Sequence, residues 1–484
     1  REVLRRFGFT DPAGAMKQLR VLTTGSSLGA EGDLDARARE AFRAVAPALL
    51  TDIGRTPDPD MTLAGIAALL AGRADAGQLY AQLQATQVRR FAIDASSRSS
   101  RLVRALARRP LLLDEIASDP GAVLARFRGW RSGVEPLASR KEQAETVAGI
   151  RFLLGLSSIE EYTDDLSAIA DAAVSEVFAD ESRRSKCAGA PLAVIALGKL
   201  GSRELMIDAD VDLLFLSDTS RWKRKPAALA SLAQSVVTRL GEVTNDGRLY
   251  EVDTRLRPEG RNAPLVTDAA AFVRYLGGRA SLWERQTMTR FRWIAGDPAV
   301  VEAIRGDFDA LVYDAPLPPA WVDTILKMRQ TMESRIRTRG PAPIDLKLGR
   351  GGVVDVEFLV QMALLRSGRS GRELHASPVL SALASLPSVP ALASLASHGA
   401  ALDTSSAARL SDCYRHIRTA QAFMRLTLEE RGNLLPEGPK LERLALVHTG
   451  AHAEEYRAQM LSRMQEVRKI VDLAARGLSV GDRA

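Results

Sequence analysis

Gly198-Lys199-Leu200-Gly201-Ser202 is followed, a few residues later, by Asp210-Val211-Asp212. Ahead of both runs Pro191–Leu197 (PLAVIAL), an apolar stretch with the length of a buried strand. Strand, glycine turn and a second strand therefore follow one another closely. Ile207, Ala209, Val211, Leu213 and Phe215 alternate with Asp208, Asp210, Asp212 and Leu214. In an extended chain, successive side chains point to opposite faces. Asp210 and Asp212 are then expected on one face, close enough to share a cation, with Val211 and Leu213 turned to a core.

A third segment reads Leu249-Tyr250-Glu251-Val252-Asp253-Thr254-Arg255-Leu256-Arg257-Pro258-Glu259-Gly260. Asp253, Arg255 and Arg257 share one parity, so a strand here would turn all three to one cleft. Pro258 and Gly260 would end it. Glycines allow backbone N–H groups to approach an anion, and a following helical turn adds its dipole. Hard carboxylate oxygens suit Mg²⁺, which keeps water and phosphate in its shell. The planar arginine fork suits phosphate. Together these are the parts that nucleotidyl transfer requires. Plain structural readings stand beside them: a tight turn, solvated aspartates and an Asp–Arg ladder on a sheet face. The spacing of a Walker A loop is absent.

Composition bounds the rest. The chain has 484 residues, 46% hydrophobic and 26% charged, enough for two to four packed domains. Cys187 and Cys413 form no disulfide or zinc pattern, which fits a reducing cytoplasm. No apolar run approaches the ~20 residues of a membrane span, and no signal peptide is read. The net charge of +7 is widely spread, and the run Arg221–Lys225 reads as a solvated loop rather than a nucleic-acid patch. Few aromatics argue against base stacking.

Helical periodicity dominates both flanks. A helix is expected to start at Asp11-Pro12, another to hold Leu102, Val103, Leu106 and Ala107 before Pro110, and a longer one to run from Thr163 to about Asp180. Another is expected from Pro226 to Leu240, a linker at Pro316–Pro319, and a glycine loop (349–352) before a helix at Val354–Leu365. The expected class is α+β, mostly helical. Residues 1–150 form an N-terminal helical region, 151–313 the strand-bearing core, and 320–484 a C-terminal helical bundle.

Four stretches in order, Gly198–Phe215, Val252–Val266, Trp283–Arg292 and Asp345–Gln361, resemble the bacterial glutamine synthetase adenylyltransferases, also called adenylyl-transferase/adenylyl-removing enzymes. The resemblance implies a DNA polymerase β-like nucleotidyltransferase core. It also implies AMP transfer from ATP to a tyrosine of glutamine synthetase, with phosphorolytic removal as the opposite activity. By resemblance, Asp210, Asp212 and Asp253 hold two Mg²⁺ ions, and Asp253 also helps activate the tyrosine. Gly198, Lys199, Gly201 and Ser202, with Arg255 and Arg257, attend the nucleotide. Glutamine synthetase is the implied protein substrate, with a PII-type signalling protein and glutamine as regulators.

Family members usually carry two such units, and this chain has one. It is then expected to be one half of a tandem protein or a single-unit relative. Ser202 stands where the family usually has glycine, and Ala209 where it has serine. Asp253–Pro258 and Asp355–Phe358 lean toward the transferase half, Leu346–Gly349 toward the removing half. The transferase is favoured. Two other classes remain open: a silent nucleotide-binding regulatory module, and a nucleotidyltransferase acting on RNA or a small alcohol.

Overall fold

The computed structural model describes residues 2–25, 34–71, 73, 75–125, 133–245, 247–334, 343–396 and 402–480. Helices make up both flanks and a small mixed sheet sits between them.

The sheet is built on the apolar run. β1 (Leu192–Ala196) is buried along its whole length. Such a strand needs cover on both faces, hence its lack of alternation. β2 (Val211–Ser217) pairs antiparallel with β1, in the register Ala196↔Leu213 to Leu192↔Ser217. A small hairpin, β3 (Val243–Thr244) and β4 (Gly247–Arg248), stands apart. β5 (Val252–Asp253) runs parallel to the start of β2, and β6 (Val266–Asp268) parallel to its end. β7 (Arg292–Gly296) closes the other side of β1.

Two sequence expectations move. The aspartate strand begins at Val211, so Asp210 lies just outside it and Met206–Ala209 form a turn. The third segment is extended only at Val252–Asp253 before it bends into turns. Shared parity therefore does not carry Arg255 and Arg257 to one cleft.

The helix Ile159–Arg184 starts earlier than its apolar stripe indicates, because Ser158 and Glu161 form a reciprocal capping box. It packs on β7 and on the helix Ala227–Gly241. Asp11 caps the helix Pro12–Thr24. Pro110 opens a helix, Pro110–Ser118, rather than merely ending its predecessor Ser100–Ala107. On the C-terminal side, the helices Val353–Ser367, Thr404–Thr427 and Ala453–Val480 pack on one another. No helix among the described residues is long and apolar enough to cross a membrane. Cys187 and Cys413 are buried and unpaired.

Candidate functional site: a three-aspartate cleft

The cleft forms where β1 hands over to the glycine turn and β2 to β5. Asp212 on β2 lies in register beside Asp253 on β5. Asp210 approaches from the turn before β2. Both neighbours act on Asp212, a half-buried carboxyl. Burial, then Asp210 and Asp253, push its pKa up to about 7, while Lys347 and Arg290 pull the other way. Arg255 lies over Asp253, with its Nε 2.7 and 2.9 Å from the two carboxylate oxygens and its backbone N–H donating at 2.8 Å. Its side chain is 57% exposed, so this cation stands at the mouth of the cleft.

The one-turn helix Gly198–Gly201 has a tightly determined shape. Gly198 adopts φ +54°, and a Cβ there would collide with Oδ2 of Asp212. Only glycine leaves room for that carboxylate. Gly201 is needed for a different reason, since a Cβ would strike the carbonyl oxygen of Arg290.

Three residues read from the sequence as nucleotide-facing point elsewhere. Lys199 reaches away into a buried polar cluster, 3.0 Å from the Tyr414 hydroxyl and 2.5 Å from Glu357. Burial and Arg418 press its ammonium down to about 8, against the pull of Glu204 and Glu357. The Ser202 hydroxyl is buried and donates to Glu204 at 2.9 Å. Arg257 donates to the carbonyls of Thr254 and Ala263, at 2.6 and 3.1 Å, and so braces its own loop. The structure thus brings together Asp210, Asp212, Asp253, Gly198 and Arg255, and sets Lys199, Ser202 and Arg257 apart.

Sequence reasoning passed over Lys347 and Arg290. Lys347 is exposed and makes no ion pair among the described residues. Its segment is tied to the C-terminal region, with Leu346 N–H donating to Asn433 at 2.8 Å and Leu435 N–H to Ile344 at 2.8 Å. The signal was a lone lysine between two leucines, just ahead of a glycine turn. Those glycines, 349–352, are close-packing positions: a Cβ on Gly351 would strike the backbone of Met464.

Comparison with known proteins adds to the geometry. Residues 91–306 match a family model described as glutamate-ammonia ligase adenylyltransferase, and the three aspartates and the glycine turn lie within that match. Proteins named bifunctional glutamine synthetase adenylyltransferase/adenylyl-removing enzyme are similar over nearly the whole chain. That of Stenotrophomonas maltophilia R551-3 is 31% identical over 93% of this chain and 50% of its own length. The chain belongs to the glutamate-ammonia ligase adenylyltransferase family. A Xanthomonas campestris B100 relative is 32% identical over 93% of this chain and 50% of its own length. The Streptomyces coelicolor one is 30% identical over 90% and 43%. The chain spans about half the length of these relatives, as one unit of a tandem would. Residues 325–478, which hold Lys347 and Glu357, match a second family model, described as GlnD PII-uridylyltransferase.

The donor set of the cleft fits a divalent cation. It consists of hard carboxylate oxygens, and their mutual repulsion raises Asp212. Among the described residues no three His, Cys, Asp or Glu side chains stand close enough together to hold a metal ion as placed, so a cation here would need the carboxylates to draw in, with water and phosphate completing its shell. A pH dependence follows. The Asp212 pKa is near 7 when folded and near 4 when unfolded, so the unfolded chain binds fewer protons between these values. Stability from this group falls as pH rises from about 4 to about 7 and is level above. A bound cation would replace the missing proton. Added Mg²⁺ is expected to raise the thermal midpoint more at pH 8 than at pH 5.5. An equal rise at both values would contradict the assignment.

Proposed function

We propose that this chain is a Mg²⁺-dependent nucleotidyltransferase unit with a polymerase β-like core, moving AMP from ATP to a tyrosine hydroxyl of glutamine synthetase. The observation that carries the reading is the in-register pair Asp212–Asp253 with Asp210 beside it, facing a turn whose Gly198 makes space for the Asp212 carboxylate. The names of the relatives support both the adenylyl group and the protein substrate.

Asp210, Asp212 and Asp253 would hold the metal, which when bound neutralises phosphate charge and lowers the pKa of a coordinated hydroxyl. Asp253 serves in this only after Arg255 leaves it, and that exposed guanidinium is placed to take a phosphate in exchange. Lys347 and Arg290 bring positive charge to the Asp212 side, where developing negative charge is stabilised by fixed groups. The tyrosine attacks the α-phosphorus in line, the bond to the pyrophosphate oxygen breaks, and pyrophosphate leaves. With AMP-tyrosine and phosphate as reactants, the same groups serve the removing reaction: a phosphate oxygen attacks the same phosphorus, the bond to the tyrosine oxygen breaks, the tyrosine regains its proton and ADP is released. The second family match supports a PII-type protein as a regulatory partner.

The test uses the purified chain, Mg²⁺, glutamine synthetase and α-labelled ATP. Label on the synthetase with release of pyrophosphate is the expected result. Phosphate-dependent ADP release from adenylylated synthetase, without labelling, would assign the removing direction instead. Neither reaction would point to a silent regulatory module or a different acceptor.

A further inference from the structure

Arginines from both helical flanks close on one turn beside the aspartate cleft. The turn is Met206–Ala209, with Ala209 N–H donating to Met206 at 3.1 Å. Asp208 sits at φ +59° in the left-handed region, which a short polar side chain tolerates better than a bulky one. Arg101, on the N-terminal helix Ser100–Ala107, holds its carboxylate through two nitrogens. Nη1 meets Oδ2, and Nη2 meets Oδ1 at 2.9 Å. Arg431 stands 3.7 Å away on the C-terminal side. Arg425, from the helix Thr404–Thr427, donates to the Ile207 carbonyl at 2.8 Å.

The position of this grip matters more than its number of contacts. Asp210 lies two residues beyond Asp208 and just before β2 begins at Val211. No ladder bond of the sheet fixes it. Its place is set by the turn on one side and by Val211 N–H, bonded to Glu251 at 2.9 Å, on the other. A two-point arginine–carboxylate pair fixes orientation as well as distance. We infer that Arg101 is a positioning residue: by gripping Asp208 it holds the turn that presents Asp210 to the metal. The N-terminal helices then bear directly on the cleft. The inference rests on the reading of Asp210 and Asp212 as metal ligands.

The neighbouring pair Arg104–Glu429 supplies a control. It joins the same helix to the same C-terminal region, is half exposed, and among the described residues makes no hydrogen bond or ion pair with the turn. Mn²⁺ binding to the intact chain, followed by electron paramagnetic resonance without nucleotide, separates positioning from general adhesion. Removing an outer support of a metal ligand typically weakens metal binding about 10- to 100-fold. Arg101→Ala is expected to weaken Mn²⁺ binding by about tenfold at a temperature where the chain is still folded. Arg101→Lys is expected to recover part of the loss, and Arg104→Ala to bind as the parent does. If Arg101→Ala fails to fold, Asp208→Asn is read in the same titration, with the same weakening expected. Parent-like binding in the Arg101→Ala or Asp208→Asn chain would overturn the inference alone. A parent chain that binds no Mn²⁺ would overturn the metal reading and the inference with it.

Discussion

Asp212→Asn is expected to reduce AMP chemistry by about a thousandfold or more while making the metal-free protein more stable. Metal-ion stabilisation of a transferring phosphate is worth several kcal/mol, and each 1.36 kcal/mol is tenfold in rate. The amide keeps the size of the carboxyl beside Gly198 but loses its charge. Stability moves the other way, because the carboxylate is held in a site that resists its ionisation. Three pKa units at about 1.4 kcal/mol each set an upper bound of about 4 kcal/mol on the gain near pH 8. Activity assays paired with thermal unfolding in chelator check both halves. Such a site trades stability for function, and this opposite movement is its signature. Lost activity with lost stability would instead describe a structural aspartate.

The largest loss of stability is expected from Glu357→Ala. Glu357 is nearly buried, 2.5 Å from Lys199 and 3.2 Å from Arg290. Burial alone would raise its pKa, but Lys199 and Arg290 override it and hold the carboxyl at about 2. Its contribution is therefore present above the unfolded value near 4.5 and lost as pH falls toward 2. Removing one partner of a buried pair costs about 3–5 kcal/mol, because the other charge is left uncompensated. Here two cations lose their nearer partner and keep Glu204, 3.8 Å from Lys199, and both lie on segments that shape the cleft: Lys199 in the glycine turn and Arg290 before β7. Denaturant or thermal unfolding is expected to show the loss clearly. Glu302→Ala, at an exposed pair with Arg305, is expected to leave the midpoint unchanged. The Glu357→Ala deficit is expected to shrink as pH rises to about 8, where Lys199 sheds its proton in the folded parent, and to be level above it. A deficit independent of pH would place the cost in packing rather than charge.

Local pattern made some of this legible and hid the rest. Pro191–Leu197 read as a strand because an apolar run of that length has few other uses, and β1 lies inside it. Glycine at 198 was legible as a special backbone position. The physical reason, room for the Asp212 carboxylate, needs the strand pairing to be known. Alternation from 207 to 215 extended the second strand too far back. Asp208 takes a left-handed turn under the grip of Arg101, more than a hundred residues upstream, and no local period records such a contact. The parity shared by Asp253, Arg255 and Arg257 ended for a similar reason, because only Val252–Asp253 find a partner in β2. Lys199 read as phosphate-binding since a lysine beside glycines often is. Its destination was decided by Tyr414 and Glu357, two residues of the C-terminal helices that sequence distance kept out of view. Asp210, Asp212 and Asp253 could be picked out as candidates because carboxylates close in sequence leave a short-range trace, and the pairing of β2 with β5 sets Asp212 beside Asp253.

The most direct measurement is a crystal structure of the chain with Mg²⁺ and a non-hydrolysable ATP analogue. Metal density between Asp212 and Asp253, reached by Asp210, with the phosphates over Gly198 and Arg255 moved off Asp253, is the expected result. Nucleotide bound elsewhere, for example in the large cavity lined by Arg108, Leu111, Glu142 and Asn245, with no metal at the aspartates, would contradict it.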